Sequence, residues 1–475
     1  MLLLITLAGP VLGLVGLALP SQRLRPWLLP VGGTVHLALV IAALWLDWPP
    51  MFAGWLALDS LGKLVLLFVA VLYFLLSVYA PGYLAQRPER PNRIFVTCLL
   101  VYPGVASLVI LSHHLGLMWV ALEATTLSTA PMLYFNRNAR SLEAVWKYLL
   151  IGSVGIALAL LGSLFLAYAE LHETLRASLL MEDLARIAPS LSRPWLHAAF
   201  VLLFVGYGTK MGLAPMHTWK PDAYGEAPGL VGALLAGAST SCAFLAILRF
   251  FHVCVAADDA GFARELMVAF GLFSIAVAAV FMARQRDYKR LLAYSSVEHM
   301  GILVLGIGVG GNATFGALLH LVNNGLTKGV LFLSAANIHR AYASKSIEQT
   351  TGALRLVPFS AALFLLGFIA VTGSPPFGPF VSEFTILDAA IGAGRYAVVA
   401  AFLGLLVVIF TGMSATVLTV VQGPAPAQVA PHKPETVLTI APVAIFLALS
   451  LLLGVYLPPP LEALIRDAAR VGVAP

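Results

Sequence analysis

Stretches of about 20 consecutive apolar residues recur from one end of this 475-residue chain to the other, and they limit its possible folds more than any other feature. A helix of that length and composition crosses the hydrocarbon core of a bilayer, which is about 30 Å thick. Hydrophobic residues make up 60% of the chain and charged residues only 11%, against about 25% charged residues in soluble domains. We therefore predict an all-α integral membrane protein with no separate soluble domain.

Hydropathy predicts fourteen transmembrane helices. They lie near residues 2–20, 26–48, 61–80, 94–112, 115–136, 144–170, 195–218, 229–250, 263–283, 291–309, 313–337, 357–390, 394–421 and 436–457. Because the first basic residues, Arg23 and Arg25, follow the first apolar stretch, we expect that stretch to be a retained helix and not a signal peptide.

Basic residues are distributed unequally between alternate loops. Seventeen lysines and arginines, including Lys220, Lys289 and Lys433, fall on one side, and seven, including Arg176 and Arg249, on the other. The positive-inside rule then predicts a multi-pass protein of the bacterial inner membrane with both termini in the periplasm. This topology accounts for the +6 net charge, and since no continuous basic patch exists we expect the lipid bilayer, and no nucleic acid, as partner.

Two of the predicted helices are interrupted by glycine and proline. Helix seven contains GTKMGLAPMHTW (208–219) and helix twelve contains VTGSPPFGPFVSEF (371–384). Non-helical backbone at membrane depth is tolerated only inside protein or along a wet cavity, so the breaks predict a polar interior. An alternative is that both are kinks made for packing.

The breaks are five helices apart, and a repeat of five spans reverses its orientation, as in inverted-repeat transporters. We therefore predict two inverted five-helix repeats, each with a broken helix. The predicted regions are N-terminal helices 1–3 (1–93), repeat I (94–250), repeat II (251–421) and a C-terminal helix with its tail (422–475).

Ionisable residues inside the predicted spans are the candidate functional groups, since each costs at least about 2.5 kcal/mol at the bilayer centre. The candidates are Glu123, Lys210, Lys328, Glu383, His217 and His320, with Glu298, His299, Asn323 and Asn324 around them. None of the four central charges is arginine, and a poorly solvated lysine can release its proton where arginine cannot. This choice favours a proton relay. The alternative is structural: buried ion pairs for the charged residues, and hydrogen-bonded core positions for the histidines.

The sequence predicts no metal site and no cofactor. Cys98, Cys242 and Cys254 have no CxxC spacing, and His113–His114 lacks the closely spaced ligand set that a metal needs. We therefore expect no redox centre within the chain itself.

Four segments resemble one known family closely. They are KMGLAPMHTWKPDAYGEAPG (210–229), DYKRLLAYSSVEHMGI (287–302), HLVNNGLTKGVLFLSA (320–335) and SPPFGPFVSEF (374–384). They are similar to the antiporter-like, proton-translocating membrane subunits of complex I, cation/proton antiporter complexes and energy-converting hydrogenases, and most similar to the hydrogenase-4 component F group of the formate hydrogenlyase type.

The resemblance implies half-channels joined by a central hydrophilic axis. It gives Glu123 the role of the fifth-helix glutamate and Lys210 that of the lysine paired with it. Lys328 matches a conducting position on helix eleven, and Glu383 matches the end of the second broken helix.

The chain also departs from the family pattern. Ser241 stands where many members carry the eighth-helix lysine that joins the half-channels, Asn324 replaces a histidine, and the usual WLPDAH reads WKPDAY, with Lys220 and Tyr224. Water near Ser239, Thr240 and Ser241 is one hypothesis for the missing link.

These observations predict a proton-translocating subunit of a membrane-bound oxidoreductase or translocase. The expected partners are other membrane subunits and a peripheral redox module, either a nickel-iron hydrogenase or an NADH dehydrogenase-like unit. A sodium/proton antiporter subunit, a membrane energiser of inorganic-carbon uptake and an assembly scaffold with a vestigial channel remain alternatives.

Overall fold

The computed structural model describes residues 1–46, 48–174, 178–424 and 434–472, and for residues 172–174 and 471–472 it describes the backbone alone. Arg176 and Lys433, two of the basic residues counted above, lie outside these ranges. Within them the regular structure is helical, apart from isolated β-bridges.

The first half of the chain forms eleven α-helices. They are α1 (Leu2–Ala18), α2 (Leu28–Leu44), α3 (Ser60–Ala85), α4 (Arg93–Leu111), α5 (Leu115–Leu133), α6 (Ala139–Thr174), α7 (Met181–Ile187), α8 (Arg193–Met211), α9 (Trp219–Glu226), α10 (Gly229–Leu234) and α11 (Thr240–Ala256). A π-helical turn at Leu235–Ser239 joins α10 to α11.

The second half forms nine more. They are α12 (Ala260–Met282), α13 (Tyr288–Val309), α14 (Asn312–Tyr342), α15 (Ala353–Leu356), α16 (Pro358–Val371), α17 (Gly378–Gly392), α18 (Tyr396–Gln422), α19 (Val437–Val455) and α20 (Pro459–Ala468). The short amphipathic α20 packs on α3 and was not predicted.

Each of the fourteen predicted segments coincides with a helix or a consecutive pair of helices, which confirms the all-α membrane fold. In the described part of the chain, nine helices are long and apolar enough to span a bilayer, and α1 and α16 are shorter apolar helices. The largest error is in segment seven, whose first half ends at Met211 and whose second half is α9, beyond the predicted end at residue 218.

Both predicted breaks are present. The first lies between α8 and α9, where Gly212 adopts the left-handed conformation (φ +85°). The second lies between α16 and α17, where Gly373 does the same (φ +64°). The amide of Ala214 in the first break donates to the Ser274 hydroxyl at 3.1 Å, so freed backbone is satisfied by protein. The division into two inverted repeats remains a prediction.

Helices α11, α13 and α14 form the interior, and their side chains are buried on nearly every face. In contrast, α18 exposes most of its apolar surface. The interior helices are those that carry most of the buried polar residues, so the polar groups lie on the axis of the protein and not at its lipid-facing surface.

Three residues counted as loop charges are buried, and that assignment was wrong for them. The Lys289 ammonium donates to the carbonyls of Gly225 and Ala227 at 3.0 and 2.6 Å. Arg249 donates to main-chain carbonyls at the end of α4, and Lys220 lies wholly inside. The reason is that helix ends here turn back into the protein, so a position next to a predicted span end does not imply exposure.

Small residues allow α6 and α8 to pack closely. A Cβ added at Gly206 would lie 2.6 Å from the backbone oxygen of Gly155 and 2.6 Å from the nitrogen of Ala159. Close approach through small residues is the usual means of helix association in membranes.

We expect Gly206→Ala to destabilise the protein by about 1–3 kcal/mol, because the added methyl group must separate two backbones that have no free space between them. The measurement is the thermal denaturation midpoint of the detergent-purified protein. Gly404→Ala is the matched control, since a Cβ at that glycine in α18 meets no atom within 4 Å. Equal midpoints for the two variants would contradict the packing assignment.

Candidate intramembrane polar row

Five of the six predicted site residues are buried, with exposed fractions between 0% for Lys328 and His320 and 8% for Glu383. The exception is Glu123, which is half-buried on α5. The side chains fall into two hydrogen-bonded groups, one around Lys210 and one around Lys328.

Around Lys210, hydroxyl groups connect the charged residues. The Lys210 ammonium donates to the Thr126 hydroxyl at 2.6 Å and to the Tyr148 hydroxyl at 3.0 Å. Thr126 in turn donates to the Glu123 carboxylate at 3.2 Å, and Tyr148 bonds the Thr129 hydroxyl at 2.7 Å. The direct Glu123–Lys210 pair implied by the resemblance is therefore replaced by a link through Thr126.

Around Lys328, the ammonium donates to the Ser295 hydroxyl at 2.6 Å. The carboxylates of Glu298 on α13 and Glu383 on α17 are the nearest charges that attract it. Lys328 thus lies between two acidic groups without a hydrogen bond to either, within the described residues.

His299 and His320 extend this second group. His299 Nδ1 lies 2.9 Å from His320 Nε2, and His320 Nδ1 lies 3.0 Å from the Ser382 hydroxyl. Ser382 donates to the carbonyl of Pro379 at 2.9 Å, so the network assigns the His320 proton to Nδ1 and the shared His299 proton to Nδ1. His299 Nε2 is then a free acceptor, and it lies 3.9 Å from the Glu298 carboxylate.

The second helix break brings Glu383 into contact with backbone. A Cβ at Gly373 would collide with the Glu383 Oε2 atom, and a Cβ at Gly378 would collide with the Asn323 Oδ1 atom. Only glycine permits these approaches. The break therefore provides the space for two polar side chains, one on α17 and one on α14.

His217 lies apart from both groups. It sits in the first break with its ring near those of Phe281 and Tyr294, at centroid distances of 6.4 and 6.2 Å. Its Nδ1 atom has no hydrogen-bond partner among the described residues. The structure thus brings five of the six predicted residues into the two groups and leaves out His217.

Of the three hydroxyls proposed to hold bridging water, two bond their own helix. Thr240 donates to Ala236 and Ser241 to Gly237, at 2.7 and 2.6 Å. Ser239 alone reaches another helix, where its hydroxyl lies 2.7 Å from that of Tyr102 on α4.

Several residues of the site were not predicted. Thr126 and Tyr148 are ordinary apolar-helix residues in the sequence, and Ser295 lies within the matched string AYSSVEH without an assigned role. Lys220 was recognised as a departure from the family pattern but placed in a loop. It is 0% exposed and donates to the Ser296 hydroxyl at 3.0 Å.

One group in the described part of the chain has the spacing of a metal site. Ligand atoms of His299, His320 and Glu383 all lie within 4.8 Å of one another. However, both His320 nitrogens already face hydrogen-bond partners, and the neighbouring Lys328 ammonium opposes a second cation. The arrangement fits proton transfer between nitrogens better than metal binding.

Chemically, each group can pass a proton. Hydroxyl and imidazole groups both accept and donate, so a proton added at one end can leave as a different proton at the other. Lysine can alternate between ammonium and amine in a poorly solvated site, which arginine cannot.

Comparison with known proteins agrees with this architecture. Residues 112–411 match the NADH:quinone oxidoreductase/Mrp antiporter transmembrane family. The chain belongs to this family. The hydrogenase-4 component F homolog of Methylacidiphilum infernorum is 33% identical over 424 residues, which cover 87% of this chain and 88% of that protein. NADH-quinone oxidoreductase subunit N of Desulforudis audaxviator is 31% identical over 82% of this chain and 74% of its own length.

Solved structures of membrane complexes share the fold. A chain of the membrane-bound sulfane sulfur reductase, an archaeal respiratory complex, superposes with a TM-score of 0.87 at 21% identity and covers 100% of this chain and 97% of its own. A chain of respiratory complex I from Thermus thermophilus gives a TM-score of 0.80 at 25% identity, with 96% and 97% covered.

We expect Thr126→Val to destabilise this antiporter-family protein by about 1–3 kcal/mol, because the buried Lys210 ammonium loses an acceptor that water cannot replace. Thr125→Val is the control, since that hydroxyl donates only to the Leu122 carbonyl of its own helix, at 2.6 Å. The measurement is the thermal denaturation midpoint of each purified variant. A midpoint for Thr126→Val no lower than that for Thr125→Val would contradict the bridging role.

Proposed function

We propose that this chain is a proton-translocating membrane subunit of a redox-driven complex. The observation that carries the proposal is the pair of hydrogen-bonded groups around Lys210 and Lys328, each of which contains a buried lysine that donates to hydroxyls and has a glutamate nearby. Such intramembrane ionisable residues mark ion or proton paths. The names of the relatives, a hydrogenase-4 component and an NADH-quinone oxidoreductase subunit, support a redox partner.

Coupling in such a row is electrostatic. Two unit charges about 4 Å apart interact by about 4 kcal/mol at an effective dielectric constant of 20, which corresponds to about three pKa units. A change of charge at Glu123 is felt at Lys210 through Thr126. Such a change, imposed by a partner, is therefore large enough to alter where a proton resides along the row.

The position of Glu123 supports a neighbouring membrane subunit. A half-exposed carboxylate within a predicted span is costly in lipid, and such residues normally face protein or a water-filled cavity. We infer that other membrane subunits cover this side of α5 and that a peripheral redox module, of the nickel-iron hydrogenase or NADH dehydrogenase-like type, drives the complex. The unequal loop charges support a bacterial inner-membrane location with both termini periplasmic.

The subunits that co-purify with the tagged chain from native membranes in mild detergent test the partner assignment. We expect mass spectrometry to find iron–sulfur proteins together with a nickel-iron hydrogenase or NADH dehydrogenase-like module. Partners of a multisubunit cation/proton antiporter, or a soluble zinc-containing carbon-uptake protein, would instead identify one of the alternative functions and refute the redox drive.

We expect Lys210→Met and Lys328→Met each to lower proton translocation at least about tenfold, because methionine keeps the volume of the side chain but cannot carry a proton. The measurement is the initial rate of ΔpH-dependent dye quenching in inverted vesicles, energised by the substrate of the co-purified module. Lys147→Met is the control, since that lysine is 42% exposed and forms surface ion pairs worth at most about 1 kcal/mol. Normal translocation by both interior variants, in fully assembled complexes, would rule out the proposed path.

A further inference from the structure

Lys220 lies between the two groups of the row. It is on α9, directly after the first helix break, and its side chain is fully buried. Its ammonium donates to Ser296 on α13, the neighbour of the Ser295 that accepts from Lys328. The charges of Lys220 and Lys328 are close enough to repel each other, and both act on His299.

The first break provides the space for this lysine. A Cβ at Gly212 would collide with the Cδ and Cε atoms of Lys220 and would lie 2.8 Å from its Nζ atom. Gly212 is two residues after Lys210, so the lysine stem crosses the end of the helix that carries Lys210. Its ammonium then reaches α13, on the side of Lys328.

Lys220 and Glu383 have matching surroundings. Each is an ionisable residue near the start of the helix that follows a break, and each packs against a glycine of positive φ within that break, Gly212 or Gly373. A side chain that only filled space would not need an ionisable end here, where burial of a charge is costly.

We propose that Lys220 is the proton-carrying residue that joins the Lys210 group to the Lys328 group, an inference that rests on the proposed function. It performs, from α9, the connection that the family resemblance assigns to an eighth-helix lysine, which is Ser241 in this chain. In the relay a neutral Lys220 amine takes up a proton from the Lys210 side, and one N–H bond forms. The ammonium then releases a proton toward Ser296, one N–H bond breaks, and the residue returns to its neutral state.

Repulsion between the lysines gives this step its direction. Because Lys220 and Lys328 oppose each other's charge, a proton that arrives at one favours departure of the proton at the other. The hydroxyls of Ser295 and Ser296 accept from the two amines, one each, and can exchange protons with them.

Two substitutions at Lys220 separate a relay from a structural role. Lys220→Met keeps the packing over Gly212, and Lys220→Gln also keeps a hydrogen-bond donor, but neither can carry a proton as an ammonium does. We expect both variants to assemble, and to lower the vesicle proton-translocation rate at least about tenfold, as Lys210→Met does. Recovery of the rate in Lys220→Gln would show that a hydrogen bond suffices and would overturn the proposal.

Lys210→Met in the same assay distinguishes the two levels of inference. Normal translocation by Lys220→Met, with a loss in Lys210→Met, overturns the role of Lys220 and leaves the proposed function standing. Normal translocation by both overturns the proposed function as well.

Serine variants keep the proposal testable if the Lys220 variants fail to assemble. Ser296→Ala removes the acceptor of Lys220 and should lower the rate several-fold, whereas Ser334→Ala should not, because that hydroxyl donates to the Val330 carbonyl of its own helix. A loss in Ser239→Ala with a normal rate in Ser296→Ala would place the connection at Tyr102 and Ser239 and overturn the assignment to Lys220.

Discussion

The structure depends on how it satisfies lysines that are withdrawn from water. A buried ammonium needs acceptors within the protein, and the acceptor type determines whether its charge is fixed. Lys289 donates to two main-chain carbonyls, which accept but never donate, so this lysine is held in one role. Lys210, Lys220 and Lys328 donate to hydroxyls, which can reverse direction. The interior lysines are thus satisfied without being locked.

The helix breaks follow from the same need. An intact helix presents its side chains outward from a backbone cylinder, and no side chain can cross its axis. Replacing one turn with glycine in the left-handed conformation lets Lys220 pass over Gly212 and lets Glu383 reach Gly373. Each break therefore brings an ionisable group to the protein axis, and neighbouring protein satisfies freed amides, as Ser274 does for Ala214.

The sequence predicted what depends on local composition. Fourteen apolar segments, two breaks and the buried charges follow from hydropathy and from the scarcity of ionisable residues in spans. It did not predict the burial of Lys220 or the Thr126 link. The place of Lys220 depends on the path of the chain after the first break, which continues inward as α9, and the place of Thr126 depends on how α5 is rotated against α8. Both are properties of packing between helices, and a single sequence does not contain them in local form.

Charge balance along the row argues for transfer over storage. Besides its histidines, the row as described comprises three lysines and three glutamates: Lys210, Lys220, Lys328, Glu123, Glu298 and Glu383. With all six ionised their charges cancel, so one additional proton leaves a single positive excess. In a poorly solvated interior that excess is unfavourable wherever it stays. Because hydroxyls and imidazoles connect the groups, the excess can move toward whichever end a partner makes more negative, and the row is poised to conduct.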